Sequence, residues 1–331
     1  MFYGGYNQMK KILSIFLCVM MLASVCALTG CGEAKTLKFG AGLYISAPTA
    51  TDATADKQGE GKVDVTVAAV TVDEAGKIVA CDLDTMQSTV KYTTEGKAVG
   101  NAEAKTKYEQ GDAYNMVAYG QANQEWYKQA DAFEGIVAGK TLAEVKALVA
   151  EGNKGNDEVV NAGCTIMINE FVGAIEKAYN SAAVSNVTAK NTLKVTAYTV
   201  QEIADATADK DGSNKVSVYT FAAAKDAEGK VVAAASDCVE ANFTFDTTGK
   251  SKFDATKEIK SKKEQGSNYG MTAIGKQEWY IQAMAFDSQC IGKTAEEIKG
   301  LMGNDGKGNA DVQAAGCTIY VTGFVKAASK I

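Results

Sequence analysis

The chain has 331 residues, a formal net charge of −6 and a pI near 5.0, with 46% apolar and 22% charged side chains. It contains no His and no Arg. Lack of His excludes Ser-His-Asp triads, Cys-His dyads and His-bearing metal sites, and lack of Arg excludes bidentate clamps on carboxylate or phosphate. The acidic balance excludes a basic nucleic-acid footprint, and the length suits about two domains.

Residues 9–31 read as a targeting segment. Lys10 and Lys11 form a positive start, Ile12 to Ala27 is an apolar run, and Leu28, Thr29, Gly30 and Cys31 close it. The run is short for a spanning helix, which needs about 20 residues, and suits a signal sequence. The ending resembles the lipobox of bacterial lipoproteins. That resemblance implies start at Met9, removal of residues 1–30, lipidation of Cys31 and anchoring to the extracytoplasmic face of a membrane, where acyl chains supply the affinity.

The rest repeats itself at a spacing of 153. Gln124 to Leu148 aligns with Gln277 to Leu301 with 14 of 25 positions identical. Ala162 to Ile166 (AGCTI) returns at Ala315 to Ile319, and Asp52 to Asp56 (DATAD) returns at Asp205 to Asp209. A period this long is domain-sized rather than solenoid-sized. It predicts two tandem copies of one domain, 36–182 and 190–331, joined by a small-residue linker at 183–189.

Each copy predicts strands first. Residues 36–46 and 192–199 read as extended. Val63, Val65 and Val67 alternate with Asp64 and Thr66, and Val79, Cys81 and Leu83 alternate with Ala80, Asp82 and Asp84. With a Gly-bearing turn between them, these form a β-hairpin. Beyond residue 100 the period changes. Trp126, Ala130, Phe133 and Val137 make the stripe of an amphipathic helix that Gly139 ends. Thr141 with Glu144, and Thr294 with Glu297, predict capping boxes. A final helix turns Phe171, Ala174, Ile175 and Ala178 inward, matched by Phe324 and Ala327. Strands followed by helices indicate an α+β fold.

Several constellations invite chemistry. Gly139-Lys140-Thr141 and Gly292-Lys293-Thr294 lack the earlier Gly of a P-loop and follow helices, so they read as caps. Cys81, Cys164, Cys238, Cys290 and Cys317 are odd in number and contain no C-x-x-C, so they read as buried thiols rather than a disulfide framework. The groups Asp209, Asp211, Gly212, Asn214 and Asn304, Asp305, Asp311 lack calcium-loop spacing and read as polar turns, so no metal is expected. Trp126 and Trp279 read as core, while Tyr127 and Tyr280 beside them could edge a pocket by ring stacking. The loops bearing Tyr114 and Tyr269 recur as E-Q-G…Y…M. They read equally as a required turn or as a functional loop.

The hairpin VDVTVAAVTVDEAGKIVACDLD and the closing AGCTIMINEFVGAIEKAYNSA resemble the FMN-binding domain of flavin subunits of Rnf- and Nqr-type electron pumps. The central QEWY block more closely resembles repeat-bearing lipoproteins of anaerobic Gram-positive bacteria. In the flavin family, the Thr two residues after the motif's first Thr holds FMN through a phosphoester; here those positions are Met167 and Tyr320. Ala162 and Ala315 stand for the family's Ser, and Cys164 and Cys317 for its Ala. The resemblance therefore implies noncovalent FMN. Candidate contacts are Gly163, Cys164, Thr165, Gly316, Cys317 and Thr318, with Tyr114, Tyr127, Tyr269 and Tyr280, the glycine amides favouring an anion. Two functions follow. One is cell-surface electron transfer to a redox partner, in which the cofactor carries the chemistry and no residue is catalytic. The other is a ligand- or partner-binding lipoprotein that lost its flavin.

Overall fold

In the computed structural model, which describes residues 35–331 apart from 101, 102, 121 and 275, the alternation around Val63 becomes a long hairpin. The chain opens with β1 (Leu37–Ile45), β2 (Thr49–Thr51), β3 (Gly59–Val72), β4 (Ile78–Tyr92) and β5 (Ala98–Val99). Helices follow: α1 (Lys107–Gln110), α2 (Met116–Gly120), α3 (Trp126–Val137), α4 (Leu142–Lys146), α5 (Asp157–Asn161) and α6 (Asn169–Ser181). Then come β6 (Ala183–Val187), β7 (Thr192–Ala204), β8 (Gly212–Lys225) and β9 (Val231–Phe245). The chain ends with α7 (Lys262–Gln265), α8 (Trp279–Cys290), α9 (Ala295–Lys299), α10 (Ala310–Ala314) and α11 (Thr322–Ala328). β3, β4, α3, α4, α5 and α6 begin 153 residues before β8, β9, α8, α9, α10 and α11 respectively. The Thr141–Glu144 and Thr294–Glu297 capping boxes both form.

The strands make two antiparallel sheets. One runs β5-β4-β3-β1-β6, with β2 also on β3; the other runs β7-β8-β9. Side chains alternate across each strand. On β3, Val63, Val65, Val67 and Ala69 point to one face and Ala68, Val70 and Val72 to the other. The first set meets Val195, Val216, Val218, Val239 and Phe243 of the second sheet in one shared core. The second set is covered by Trp126, Phe133, Phe171 and Ile175 of α3 and α6. On the far side, Trp279, Phe286 and Phe324 cover Phe221, Ala223 and Cys238 of the second sheet. The layers therefore run helix, sheet, sheet, helix. The fold is α+β, and residues 36–331 form one compact unit. Residues 183–187, expected as linker, instead form β6, which pairs Ala183 with Phe39 and Val187 with Leu37 on β1. Among the described residues no helix is long and apolar enough to cross a membrane. The signal segment and Cys31 lie outside the described residues.

The halves grip each other reciprocally. Ala53 N–H donates to Gly249 O and Ala206 N–H to Gly96 O, both at 2.8 Å. Asp52 Oδ1 accepts from Ser251 N–H at 2.8 Å, and Asp205 Oδ1 accepts from Ala98 N–H at 2.9 Å. Each bond is the other's counterpart, the pattern of a two-fold interface. This is why DATAD occurs twice: each motif supplies the carboxylate that caps the opposite half. Tyr92 and Phe245, also counterparts, stack with ring centroids 4.4 Å apart. Asn214, expected in a polar turn, is fully buried in β8, where its amide donates to Lys91 O and Val99 O at 3.2 Å.

A Cβ on Gly249 would fall 2.4 Å from Thr93 O and 2.6 Å from Ala53 Cβ, at a φ of +72°. Gly249→Ala should cost roughly 3 kcal/mol, combining left-handed strain with overpacking. Gly229→Ala, at φ +77° with open space around it, should cost about 1 kcal/mol from backbone strain alone. Urea midpoints of the two variants check the difference.

Candidate functional site

The two A-G-C-T loops are built identically. After α5, capped by Asn156, Gly163 takes a φ of +107° and turns Cys164 into the core. After α10, capped by Asn309, Gly316 at +105° does the same for Cys317. Both thiols are fully buried, and burial pushes each up to about 11, so neither is a thiolate near neutral pH. Thr165 donates both its N–H (2.8 Å) and its hydroxyl (3.1 Å) to Gln129 Oε1 on α3. Thr318 donates its pair to Gln282 Oε1 on α8 at 2.8 and 2.9 Å. Each Gln is fully buried and returns its amide to the carbonyl at the head of its helix, Gln124 O or Gln277 O, at 2.8 Å. The glycine amides expected to favour an anion are likewise spent within the fold, Gly163 N–H on Val160 O and Gly316 N–H on Gln313 O, both at 3.0 Å. Met167 and Tyr320 are largely exposed and bridge by backbone to Lys154 and Lys307. Gln129→Leu would strand the Thr165 and Gln124 groups at a cost of about 2 kcal/mol. A lowered melting temperature with unchanged far-ultraviolet dichroism is the expected result.

The E-Q-G…Y…QEWY block is a second shared device, its E-Q-G…Y part displaced by two residues between halves while QEWY keeps the 153 spacing. Thr106 with Glu109, and Ser261 with Glu264, form capping boxes on α1 and α7. Gly111 and Gly266 then turn at φ +51° and +53°. The lysine after each cap lies between two rings. Lys107 Nζ is 5.3 Å from the Tyr114 centroid and 5.5 Å from that of Trp126. Lys262 Nζ is 4.8 Å from Tyr269 and 5.3 Å from Trp279. Such cation–π contacts are worth about 1–2 kcal/mol when desolvated. Glu125 accepts from Met116 N–H and Val117 N–H; Glu278 accepts from Met271 N–H and the Thr272 hydroxyl. The tyrosine hydroxyls turn to strand residues, Tyr114 to Gln87 at 3.0 Å and Tyr269 to Glu240 at 3.4 Å. Tyr127 bonds Asp112 at 3.2 Å and meets Tyr108 edge-on, while Tyr280 packs against the core. The structure therefore brings the Thr residues to Gln129 and Gln282. It sends Tyr114, Tyr127 and Tyr269 to other partners.

A group of carboxyls that sequence reading passed over lines β4 and β9. Asp84 is 3% exposed and accepts from Thr85 N–H and Tyr108 N–H. Asp82 Oδ2 crosses to Val195 N–H on β7 at 2.5 Å, and Glu134 of α3 accepts from Leu83 N–H at 2.7 Å. Burial dominates all three and pushes them to about 6 (Asp82), about 7 (Asp84) and about 9 (Glu134). Lys194 opposes that shift while lying 4.0 Å from the Tyr108 ring centroid. In the other half, Asp287, counterpart of Glu134, accepts from Ser236 N–H and hydroxyl, with Lys263 at 3.5 Å. The alternation on β4 marked Asp82 and Asp84 as polar partners of an apolar face, but not that a second sheet covers them. Among the described residues, no group of three or more Cys, Asp or Glu is placed to hold a metal ion.

A concavity of about 450 Å³ opens between the two sheets where β4 leaves β7 and β8. Ser88, Val90, Tyr198, Val200 and Val216 form its walls, and Gly100 with Ala104 its lip. Its size falls within the range of small-molecule sites.

No family model matches the chain, and no solved structure matches it. Among curated proteins it is similar to a chlorophenol reductase of Desulfitobacterium hafniense, with 31% identity over 127 residues. The similarity covers 34% of this chain and 38% of that protein, so the chain spans well under half the length of this relative.

Proposed function

We propose that this protein is a lipid-anchored, extracytoplasmic binding protein made of two tandem copies of one α+β domain, 36–182 and 190–331, that no longer carries flavin at its A-G-C-T loops. One observation carries the reading. In both halves the motif's Thr spends its N–H and hydroxyl on a buried Gln, while Met167, which cannot form a phosphoester, and Tyr320 stand at the acceptor positions. The recurrence of six elements at a constant spacing supports the tandem origin. The L-x-G-C ending at Cys31 supports the anchor, and the ligand or partner would be met outside the cell.

The test is an intact mass of the protein produced beside a flavin transferase, followed by titration with FMN. Unchanged mass and unquenched FMN fluorescence are expected; added flavin mass would overturn the reading. Cys31→Ala should move the protein from the membrane fraction to the soluble fraction.

A second reading, noncovalent FMN for electron transfer at the cell surface, draws on the similarity to a protein named as a reductase. Stoichiometric quenching of FMN with unchanged mass would favour it.

A further inference from the structure

We infer that the groove between the two sheets, rather than either A-G-C-T loop, is the ligand site, and that it takes a small, flat, uncharged aromatic molecule bearing a single hydrogen-bonding group. This rests on the binding-protein reading above. Three independent observations support it.

The first is an unpartnered hydroxyl. Ser88 is 3% exposed and lines the groove, and among the described residues its Oγ is the one buried side-chain polar atom without a hydrogen-bond partner. A buried polar group left unpaired is unfavourable, and folded proteins hold few of them. A ligand's hydroxyl or carbonyl would satisfy it.

The second is a comparison within the molecule. At the counterpart of the groove, Phe253 packs on Phe243 with centroids 4.6 Å apart, and Phe253 and Ile259 both press against the shared core. The groove side has Gly100 where the other half has Phe253, Val90 where it has Phe243 and, two residues before the matching caps Thr106 and Ser261, Ala104 where it has Ile259. The space is therefore filled in one half and open in the other. The fourth counterpart pair is Ser88 and Ala241, so the open half also gains the hydroxyl that the filled half lacks.

The third is charge. No lysine lines the groove, and its one carboxylate, Glu103, is met by Lys330 at 3.7 Å. The adjacent cation, Lys330, 5.5 Å from the Tyr198 ring centroid, is already engaged by Glu103 and by Glu109 at 2.9 Å, so an anion such as a phosphate would find no free counter-charge, whereas the apolar walls suit an aromatic face.

The experiment titrates 1-naphthol, a neutral bicyclic aromatic with one hydroxyl, into residues 36–331, the compact unit described above, with calorimetric readout. One equivalent is expected to bind. Gly100→Phe with Ala104→Ile, which rebuilds the filled half, should weaken binding at least tenfold. Among the described residues a Cβ at Gly100 meets Ile203 Cδ1 at 3.8 Å, an ordinary contact, so the substitution starts without a clash at that atom. Ser88→Ala should weaken binding about tenfold while melting no lower than the parent in the absence of 1-naphthol, because it removes the unpaired hydroxyl. Equal binding by the filled variant, or no binding by the parent, overturns the groove as the site. The flavin reading is decided separately by FMN, so the two failures are distinguishable.

Discussion

Cut between residues 189 and 190, the protein is expected to lose its stability as separate parts. The fragment 36–189 would expose Val63, Val65, Val67, Ala69, Met86 and Val90, all of which the second sheet now covers. Burying each large apolar side chain is worth about 1.5–3 kcal/mol, so this face contributes on the order of 10 kcal/mol. That is comparable with the whole stability of an ordinary domain, about 5–15 kcal/mol. The isolated fragment should sediment as a dimer or aggregate, and mixing it with 190–331 should restore one compact species. For the same reason, the uncut protein should show a single calorimetric transition whose van't Hoff and calorimetric enthalpies agree. Two separate endotherms, or a stable monomeric fragment, would show that the shared core matters less than its geometry implies.

The second large effect is a loss of stability with rising pH. Glu134 moves from an ordinary carboxyl value of 4.5 to about 9, Asp84 from 3.8 to about 7 and Asp82 from 3.8 to about 6, in each case mainly through burial. Between the unfolded and folded values, the folded protein holds a proton that the unfolded chain has released. Stability then falls as pH rises, by up to about 1.4 kcal/mol per pH unit for each group in its window. The contribution is fully present below about pH 4, shared by all three carboxyls to about pH 6, and carried mainly by Glu134 between about 7 and 9. Asp237 and Asp287 are also raised by burial and act in the same direction. Glu134→Gln keeps an acceptor for Leu83 N–H without a titrating proton. Its urea midpoint should change little from pH 7 to pH 9, while that of the parent falls. Parallel curves for the two proteins would remove Glu134 as the source.

The tyrosines illustrate how far a recurring motif reads. The sequence shows that E-Q-G…Y…QEWY returns, and it leaves open whether a turn or a ligand keeps it. In the fold, the block is consumed by its own caps, by Lys107 and Lys262 between their rings, and by Glu125 and Glu278 on backbone amides. Nothing in the residue spacing marks those lysines, because one ring of each pair, Trp126 or Trp279, arrives from a helix more than fifteen residues downstream.

What the sequence by itself determined is local. The alternation at Val63 and Val65 specifies a strand, the stripe from Trp126 to Val137 a helix, and Thr141 with Glu144 its neighbour's start. Each depends on residues two to four positions apart, and the 153-residue period carries the same pattern to the second half. The tertiary structure alone decided what covers each face. Asp84 reads as polar and is nearly sealed, because both sides of its sheet are packed. Asp52 and Asp205 read only as part of a recurring motif and bind the opposite half. No motif marks Ser88 or Gly100, yet both line the groove. These outcomes depend on contacts between residues from 24 to 199 positions apart, which periodicity cannot encode.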